Sequence, residues 1–350
     1  MQIQLNTPIH KILIIRMSSI GDILLTTPLL RQLRALYPAA EIDFLVRKEY
    51  AQLLQANPHL SRLLTLDVHA GGALKALKKQ IRHHGYDVIL DLHRNLRSGY
   101  LCAFWNRPPV LKIRKNQLSR FLLVHFKLNL YRRGGDRPLH VAEKYLRAAV
   151  PLGIDPRDLA LEMHLPRAVE ESGKSRWLAL AAQGYGIVMA PGARHFTKRW
   201  PPAYYAELIQ QIYKSTGRRT VLVGGPDERE IITEIRRLAG EEITLSLAGE
   251  VSLPETFALI CHAPCFVSND SGLMHAAAAG GVPQVALFGS TTEELGFFPL
   301  NPAAQVLQNL QLSCRPCSHI GRAACPKGHF RCMKEIRPEE VVEVILKKLG

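Results

Sequence analysis

No apolar stretch in this 350-residue chain reaches the roughly 18–20 residues that a membrane-spanning helix requires. The opening "MQIQLNTPIHKILII" lacks the basic start, long apolar centre and small-residue cleavage site of a signal peptide. A cytoplasmic protein is therefore expected. There is no G-x-G-x-x-G and no G-x-x-x-x-G-K-[ST], which argues against nicotinamide-dinucleotide and P-loop sites. There is no D-x-D either, so a paired-acid clamp for a catalytic divalent metal has no support. Low-complexity tracts and short-period repeats are absent.

Acidic residues are scarce. Thirty Asp and Glu face 45 Lys and Arg, a net charge of +15. The excess is uneven: residues 1–165 carry +13 and residues 166–350 carry +2. Thirteen basic residues fall within 94–147, against only Asp136 and Glu143. Such a run reads either as a solvated face or as a surface for something anionic: a phosphorylated substrate, an acidic membrane leaflet or nucleic acid.

The length suggests two domains. Short β-branched runs alternate with amphipathic ones. "KILIIR", "EIDFLVR" and "DVILDL" read as strands, and 22–37, "EYAQLLQ", "ALKKQIRHHG" and 140–153 read as helical. The pattern restarts with the strand "GIVMAPGA" and continues through "RTVLVGG", "CFVSND" and "PQVALFGS", with helices between them. Nearly continuous apolar strands are buried on both faces by helices. The expectation is an α/β protein with two doubly wound parallel sheets, joined near 155–183 and divided at 165/166. In such sheets ligands bind beyond the carboxyl ends of the strands, and a cleft between two sheets is the natural site.

Four turns at strand ends carry chemistry. "SSIGD" holds Ser18, Gly21 and Asp22, where Gly21 permits a tight turn. Asp22 reads either as a helix N-cap or as a general base. "PGARHFTKRWP" offers Lys198 and Arg199, either surface charges or phosphate contacts. "SNDSGLMHAAAAGG" is the most specific. Asp270, Ser271 and Gly272 form a polar turn before a small-residue helix, whose first N–H groups suit a diphosphate, and His275 follows one turn later. "GGPDERE" supplies Glu228 and Glu230, acids able to bind ribose hydroxyls.

Seven cysteines are present. Cys102, Cys261 and Cys265 fit the core. Cys314, Cys317, Cys325 and Cys332 have the spacing C-x2-C-x7-C-x6-C, which reads either as a structural zinc site, with His319 or His329 in reserve, or as free thiols in a compact loop.

Together, "ILIIRMSSIGDILLTTPLLRQLRALYP", "PGARHFTKRWP" and "SNDSGLMHAAAAGGVPQVALFG" resemble glycosyltransferase family 9, the bacterial lipopolysaccharide heptosyltransferases. The likeness runs from about residue 10 to 340, and the late cysteine-rich segment resembles the heptosyltransferase II type. The resemblance implies a GT-B fold, with an acceptor-binding N-terminal domain (1–165), a nucleotide-sugar-binding C-terminal domain (166–350) and a cleft between them. It implies an ADP-L-glycero-D-manno-heptose donor, a Kdo–lipid A inner-core acceptor with or without one heptose, inversion at the anomeric carbon, and no metal. By matching position, Asp22 would be the catalytic acid–base group and Lys198 a donor-phosphate contact. Glu230 would be a ribose acid with Glu228 as the alternative register. Asp270, Ser271, Gly272 and His275 would form the phosphate turn, and Val251 would lie near the adenine.

The resemblance also gives the basic half a cause: an anionic acceptor embedded in the inner leaflet of a Gram-negative bacterium, with the enzyme peripherally attached. Three other readings are a family 9 transferase with another nucleotide sugar, a degenerate transferase that only binds nucleotide, and a nucleic-acid-binding protein. The last would need exposed aromatics among the basic residues. Several of Tyr100, Phe104, Trp105, Phe121, Phe126 and Tyr131 instead fit helical core spacing, so nucleic acid is not expected as a partner.

Overall fold

The computed structural model describes residues 8–132 and 137–349. Arg133 and Asp136 of the basic run lie outside them. The chain divides into two units: residues 1–115 with 140–166, and 116–139 with 167–350.

The first unit is built on five parallel strands, β1 (Lys11–Ile15), β2 (Glu41–Arg47), β3 (Arg62–Leu66), β4 (Val88–Asp91) and β5 (Val110–Lys112), in the order β3-β2-β1-β4-β5. Ile12–Ile15 and Val88–Leu90 are wholly buried, as strands covered on both faces must be. Helices α1 (Ile20–Leu24), α2 (Thr27–Leu36), α3 (Ala73–His84) and α4 (Leu96–Cys102) follow strands of this sheet. The chain then forms α5 (Gln117–Phe126) in the second unit and returns as α6 (Val141–Ala148).

The single helix expected over 22–37 is two. Pro28 has no N–H and its ring crowds the carbonyl four residues back, at Leu24. The Thr27 hydroxyl donates to that carbonyl instead (2.8 Å), and the Thr26 hydroxyl donates to the Ile23 carbonyl (2.6 Å). "EYAQLLQ" is likewise not an α-helix; Lys48–Leu53 forms a tighter 3-10 turn.

The second unit has α7 (Arg167–Ala182), β6 (Tyr185–Ala190), α8 (Pro202–Thr216), β7 (Arg219–Leu222), α9 (Arg229–Ala239) and β8 (Thr244–Ser246). It continues through α10 (Leu253–His262), β9 (Phe266–Asn269), α11 (Gly272–Ala279), β10 (Gln284–Phe288), β11 (Ala304–Gln308), α12 (Arg331–Lys334) and α13 (Pro338–Leu349). Its six parallel strands run β11-β10-β9-β6-β7-β8. Counted from β6, this is the Rossmann order, and the order in which strands are added reverses between β6 and β9. In the first sheet the corresponding reversal lies between β1 and β4.

Two expectations about the join are corrected. Most of the expected linker is α7, which is exposed except at Gly173, Trp177 and Leu180 and so shows little amphipathic pattern. It packs on α10 where a Cβ on Gly173 would lie 2.2 Å from that of Ala258. Residues 116–139 belong with the second unit rather than the first. Lys127 Nζ donates to the carbonyls of Val124, Cys314 and Pro316 (2.9, 3.0 and 2.7 Å), and Arg132 pairs with Glu293 and Glu294 (2.6 and 3.0 Å). Arg132 is thus paired within its own unit, and Lys127 is held by backbone carbonyls.

Candidate active site

Each unit gathers polar groups at the carboxyl end of its own sheet, at the reversal point. In the first unit β1 hands over to Arg16 and to the turn holding Ser18, which is half-buried, and Gly21, which is buried. Ser19 is the cap of α1. Asp22 is therefore not the N-cap; it is the third helical residue and reaches back to Ser19, accepting from its N–H (3.4 Å) and hydroxyl (3.2 Å). Asp22 Oδ2 is paired with Arg16 Nη2 at 2.7 Å, and Oδ1 accepts from the Tyr145 hydroxyl at 2.9 Å. The carboxylate side chain is still 17% exposed.

Burial alone would raise the Asp22 pKa. The Arg16 charge and the hydrogen bonds from Tyr145, Ser19 and Arg16 more than offset it, and the pKa lies below the ordinary carboxylate value. Asp22 is thus ionised at neutral pH. Arg16 also donates to the Leu92 carbonyl at the end of β4 (2.8 Å) and lies 5.5 Å from the Tyr145 ring centre. Beside them, burial and the Arg16 and Lys115 charges push the His93 pKa down to about 4, so its ring is neutral at pH 7. The buried Nδ1 of His93 has no hydrogen-bond partner.

In the second unit the loops after β6 and β9 are tied together. Asn269 Nδ2 donates to the Pro191 carbonyl (2.7 Å), and Asn269 Oδ1 accepts from the Trp200 N–H (3.1 Å). The Trp200 side chain is fully buried, with its Nε1 donating to the Ile336 carbonyl (3.0 Å). The loop so fixed places Lys198 Nζ 2.6 Å from Asp270 Oδ2, which also accepts from the Thr291 hydroxyl at 2.6 Å. Asp270 leads into Ser271, the N-cap of α11, whose buried hydroxyl has no partner. The first N–H groups of α11 have no intrahelical acceptor and carry the positive end of its dipole. The positive helix start and an unused hydroxyl, with Lys198 held beside them by Asp270, together suit an anion.

His275 is buried within this first stretch of α11, its ring 6.5 Å from that of Phe297. Ala276 and Ala277 are fully buried, as close helix–sheet packing requires. Val251 is half-buried and packs against the buried cluster that includes Leu247. Glu228 lies against the strand ends, its Oε2 accepting from the Gly225 N–H (3.0 Å). A Cβ on Gly192 would come within 1.7 Å of Glu228 Oε1, so only glycine leaves that carboxylate its place. Burial raises the Glu228 pKa. Glu230 is exposed on α9. Of the two registers, the one through Glu228 brings an acid to the strand ends.

Residues 74–327 match glycosyltransferase family 9 (heptosyltransferase). The chain belongs to this family. Among similar proteins, lipopolysaccharide heptosyltransferase 3 of Escherichia coli is 31% identical over 77% of this chain and 81% of its own. Lipopolysaccharide heptosyltransferase 2 of Salmonella typhimurium LT2 is 28% identical over 95% of this chain and 97% of its own. The structure of E. coli ADP-heptose lps heptosyltransferase II superposes with a TM-score of 0.75, at 25% identity, covering 97% of this chain and 98% of that one. This family 9 protein is therefore a glycosyltransferase, and its two doubly wound units are of the GT-B type. Asp22 precedes the residues matched to the family but falls within the region of full-length similarity.

Sequence reasoning missed Arg16 and Tyr145, which hold the family 9 protein's acid, and the neutral His93 beside them. Arg16 had a signal, a cation directly following a buried strand. Tyr145 lies 123 residues from Asp22 in sequence and had none.

Two other expectations are corrected. Among the described residues, no three of Cys314, Cys317, Cys325, Cys332, His319 and His329 bring ligand atoms within 4.8 Å of one another. Cys332 is instead packed in the core with Met333 and Phe330, and Cys314 Sγ lies 3.9 Å from His329 Nε2. As placed, the four are free thiols, the other of the two readings. The aromatics of the basic run are also not mainly core: Tyr100, Trp105, Phe121 and Phe126 are exposed.

Proposed function

We propose that the protein transfers a heptose from ADP-L-glycero-D-manno-heptose to the inner core of lipopolysaccharide, at Kdo or at the first heptose, with inversion and without a metal. The observation that carries this reading is Asp22, an ionised, partly exposed carboxylate at the end of β1. Full-length similarity to a lipopolysaccharide heptosyltransferase 2 supports the choice of acceptor, and likeness to the ADP-heptose lps heptosyltransferase II structure supports that of donor.

In this reading Asp22 accepts the proton of an acceptor hydroxyl. The oxygen attacks the anomeric carbon from the face opposite the diphosphate. The bond from that carbon to the phosphate oxygen breaks, and its electron pair leaves with ADP. A carboxylate of low pKa is a weak base, so proton transfer becomes favourable only as the new C–O bond forms and acidifies the hydroxyl. Lys198 and the start of α11 neutralise the departing diphosphate, the Ser271 hydroxyl adds a donor, and His275 lies close behind. Glu228 binds the ribose, and Val251 borders the adenine. Asp270 orients Lys198 through their 2.6 Å contact.

The acceptor is anionic and membrane-embedded, and we read the protein as attached to the cytoplasmic face of the inner membrane. Among the described residues no helix is long and apolar enough to cross it. On the first unit Leu96 and Trp105 are 94% and 86% exposed, with Arg97 and Arg107 close by in sequence, a combination suited to an anionic leaflet. Binding to vesicles containing anionic lipid should weaken as salt rises.

The deciding experiment offers the purified protein ADP-heptose or UDP-sugars, with defined acceptors ending in Kdo or in one heptose, and weighs the products. Heptose addition from the ADP donor supports the reading. Transfer from a UDP-sugar alone would replace it with another family 9 specificity. Asp22→Asn should bind ADP normally and lose most turnover; near-full turnover by that variant would remove Asp22 from the role of base.

A further inference from the structure

Alongside α2, three side chains that the proposed transfer does not use converge. His59 lies in the loop before β3, and Glu162 and His164 lie in the segment that ends the first unit at Pro166. His59 Nε2 and His164 Nε2 approach the same oxygen, Glu162 Oε2, at 2.9 and 3.1 Å. All three ligand atoms lie within 4.8 Å of one another, and the rings meet edge-on with centres 5.5 Å apart. Among the described residues this is the one such group of three or more His, Cys, Asp or Glu side chains.

The donors are of the right kind and spacing for a cation. Imidazole nitrogen and carboxylate oxygen bind Zn²⁺ at about 2.0–2.2 Å. At such lengths, separations of 2.9 and 3.1 Å subtend angles of roughly 90–100° at the ion, within the range of a four- to five-coordinate site. The ligands are also held from behind. Arg31 Nη1 donates to the other carboxylate oxygen, Glu162 Oε1, at 2.8 Å. The His59 N–H donates to Asn57 Oδ1 (2.9 Å), the His59 carbonyl accepts from Arg34 Nε and Nη2 (3.2 and 3.0 Å), and the Glu162 N–H donates to the Thr27 hydroxyl (3.0 Å). Outer contacts of this kind orient ligands in metal sites.

We propose that His59, Glu162 and His164 bind one divalent transition-metal ion, zinc by ligand type, which staples the segment 154–166 onto the first unit. The ion replaces the two N–H donors now directed at Glu162 Oε2, with water completing its coordination. Its role is structural, and no step of sugar transfer passes through it.

The test uses tag-free, chelator-stripped full-length protein and Co²⁺ as the spectroscopic probe. One equivalent should give visible d–d bands without a thiolate-to-cobalt charge-transfer band, and Zn²⁺ should displace it. His59→Gln/His164→Gln should weaken Co²⁺ binding by more than the roughly 10–100-fold cost of losing an outer contact alone. Cys314→Ser/Cys317→Ser should leave binding unchanged. Wild-type protein without d–d bands, or with a thiolate band that disappears in the cysteine variant, would overturn the proposal, and neither readout depends on the histidine variant folding. Zn²⁺ should also slow protease cleavage within 154–166; cleavage equally fast with saturating Zn²⁺ would overturn the staple.

Discussion

Tyr145→Phe isolates one bond to the candidate base. The Tyr145 ring is almost wholly buried, and the substitution keeps its volume while removing the hydroxyl that donates to Asp22 Oδ1 at 2.9 Å. A hydrogen bond to a charged group contributes about 1.5–3 kcal/mol. Asp22 retains Arg16 and Ser19 and is 17% exposed, so water recovers part of the loss. The effect therefore falls at or just below the bottom of that range, about 1–1.5 kcal/mol, which corresponds to roughly one pH unit. The acid limb of the kcat/KM profile should move to higher pH by about that amount, while ADP binding stays unchanged.

Stability should follow the same sign. A depressed native carboxyl pKa stabilises the fold at pH values above the unfolded pKa of about 3.9, and this stabilisation is lost as pH falls through the native value. The variant should be about 1 kcal/mol less stable at pH 7, and the gap should shrink in acid. An acid limb at the wild-type pH would refute the idea that Tyr145 tunes Asp22.

Three further outcomes are expected. Lys198→Ala should lower turnover by about 10²–10³-fold and also weaken ADP binding, measured by calorimetry and steady-state kinetics. Gly192→Ala should fold normally, because the Cβ meets only the tip of the Glu228 side chain, yet it should lose ADP affinity by displacing that carboxylate. Glu228→Gln should weaken ADP binding and Glu230→Gln should not; the reverse pattern would restore the other register.

The sequence was most legible where chemistry and local pattern coincide. "SNDSG" before an alanine-rich helix already describes an anion-binding helix start, because cap residues and dipole act over a few neighbouring positions. The break at Pro28 and the 3-10 turn at Lys48–Leu53 were less legible. There the apolar period continues while backbone hydrogen bonding changes. Helix α7 escaped notice because only Gly173, Trp177 and Leu180 are buried.

By itself, then, the order of residues determined the α/β alternation, the family, and the strand-end turns carrying Asp22, Lys198 and Ser271–Gly272. These depend on periodicity and on contacts a few residues long. Tertiary structure alone brought Tyr145, far along the chain, to join Arg16 in holding Asp22 ionised, laid Glu228 against the strand ends, and attached 116–139 to the second unit through Lys127 and Arg132. It also brought His59 to Glu162 and His164. The physical reason is range: capping and amphipathic pattern act between near neighbours, whereas ion pairs and desolvation depend on which distant segments the fold makes adjacent.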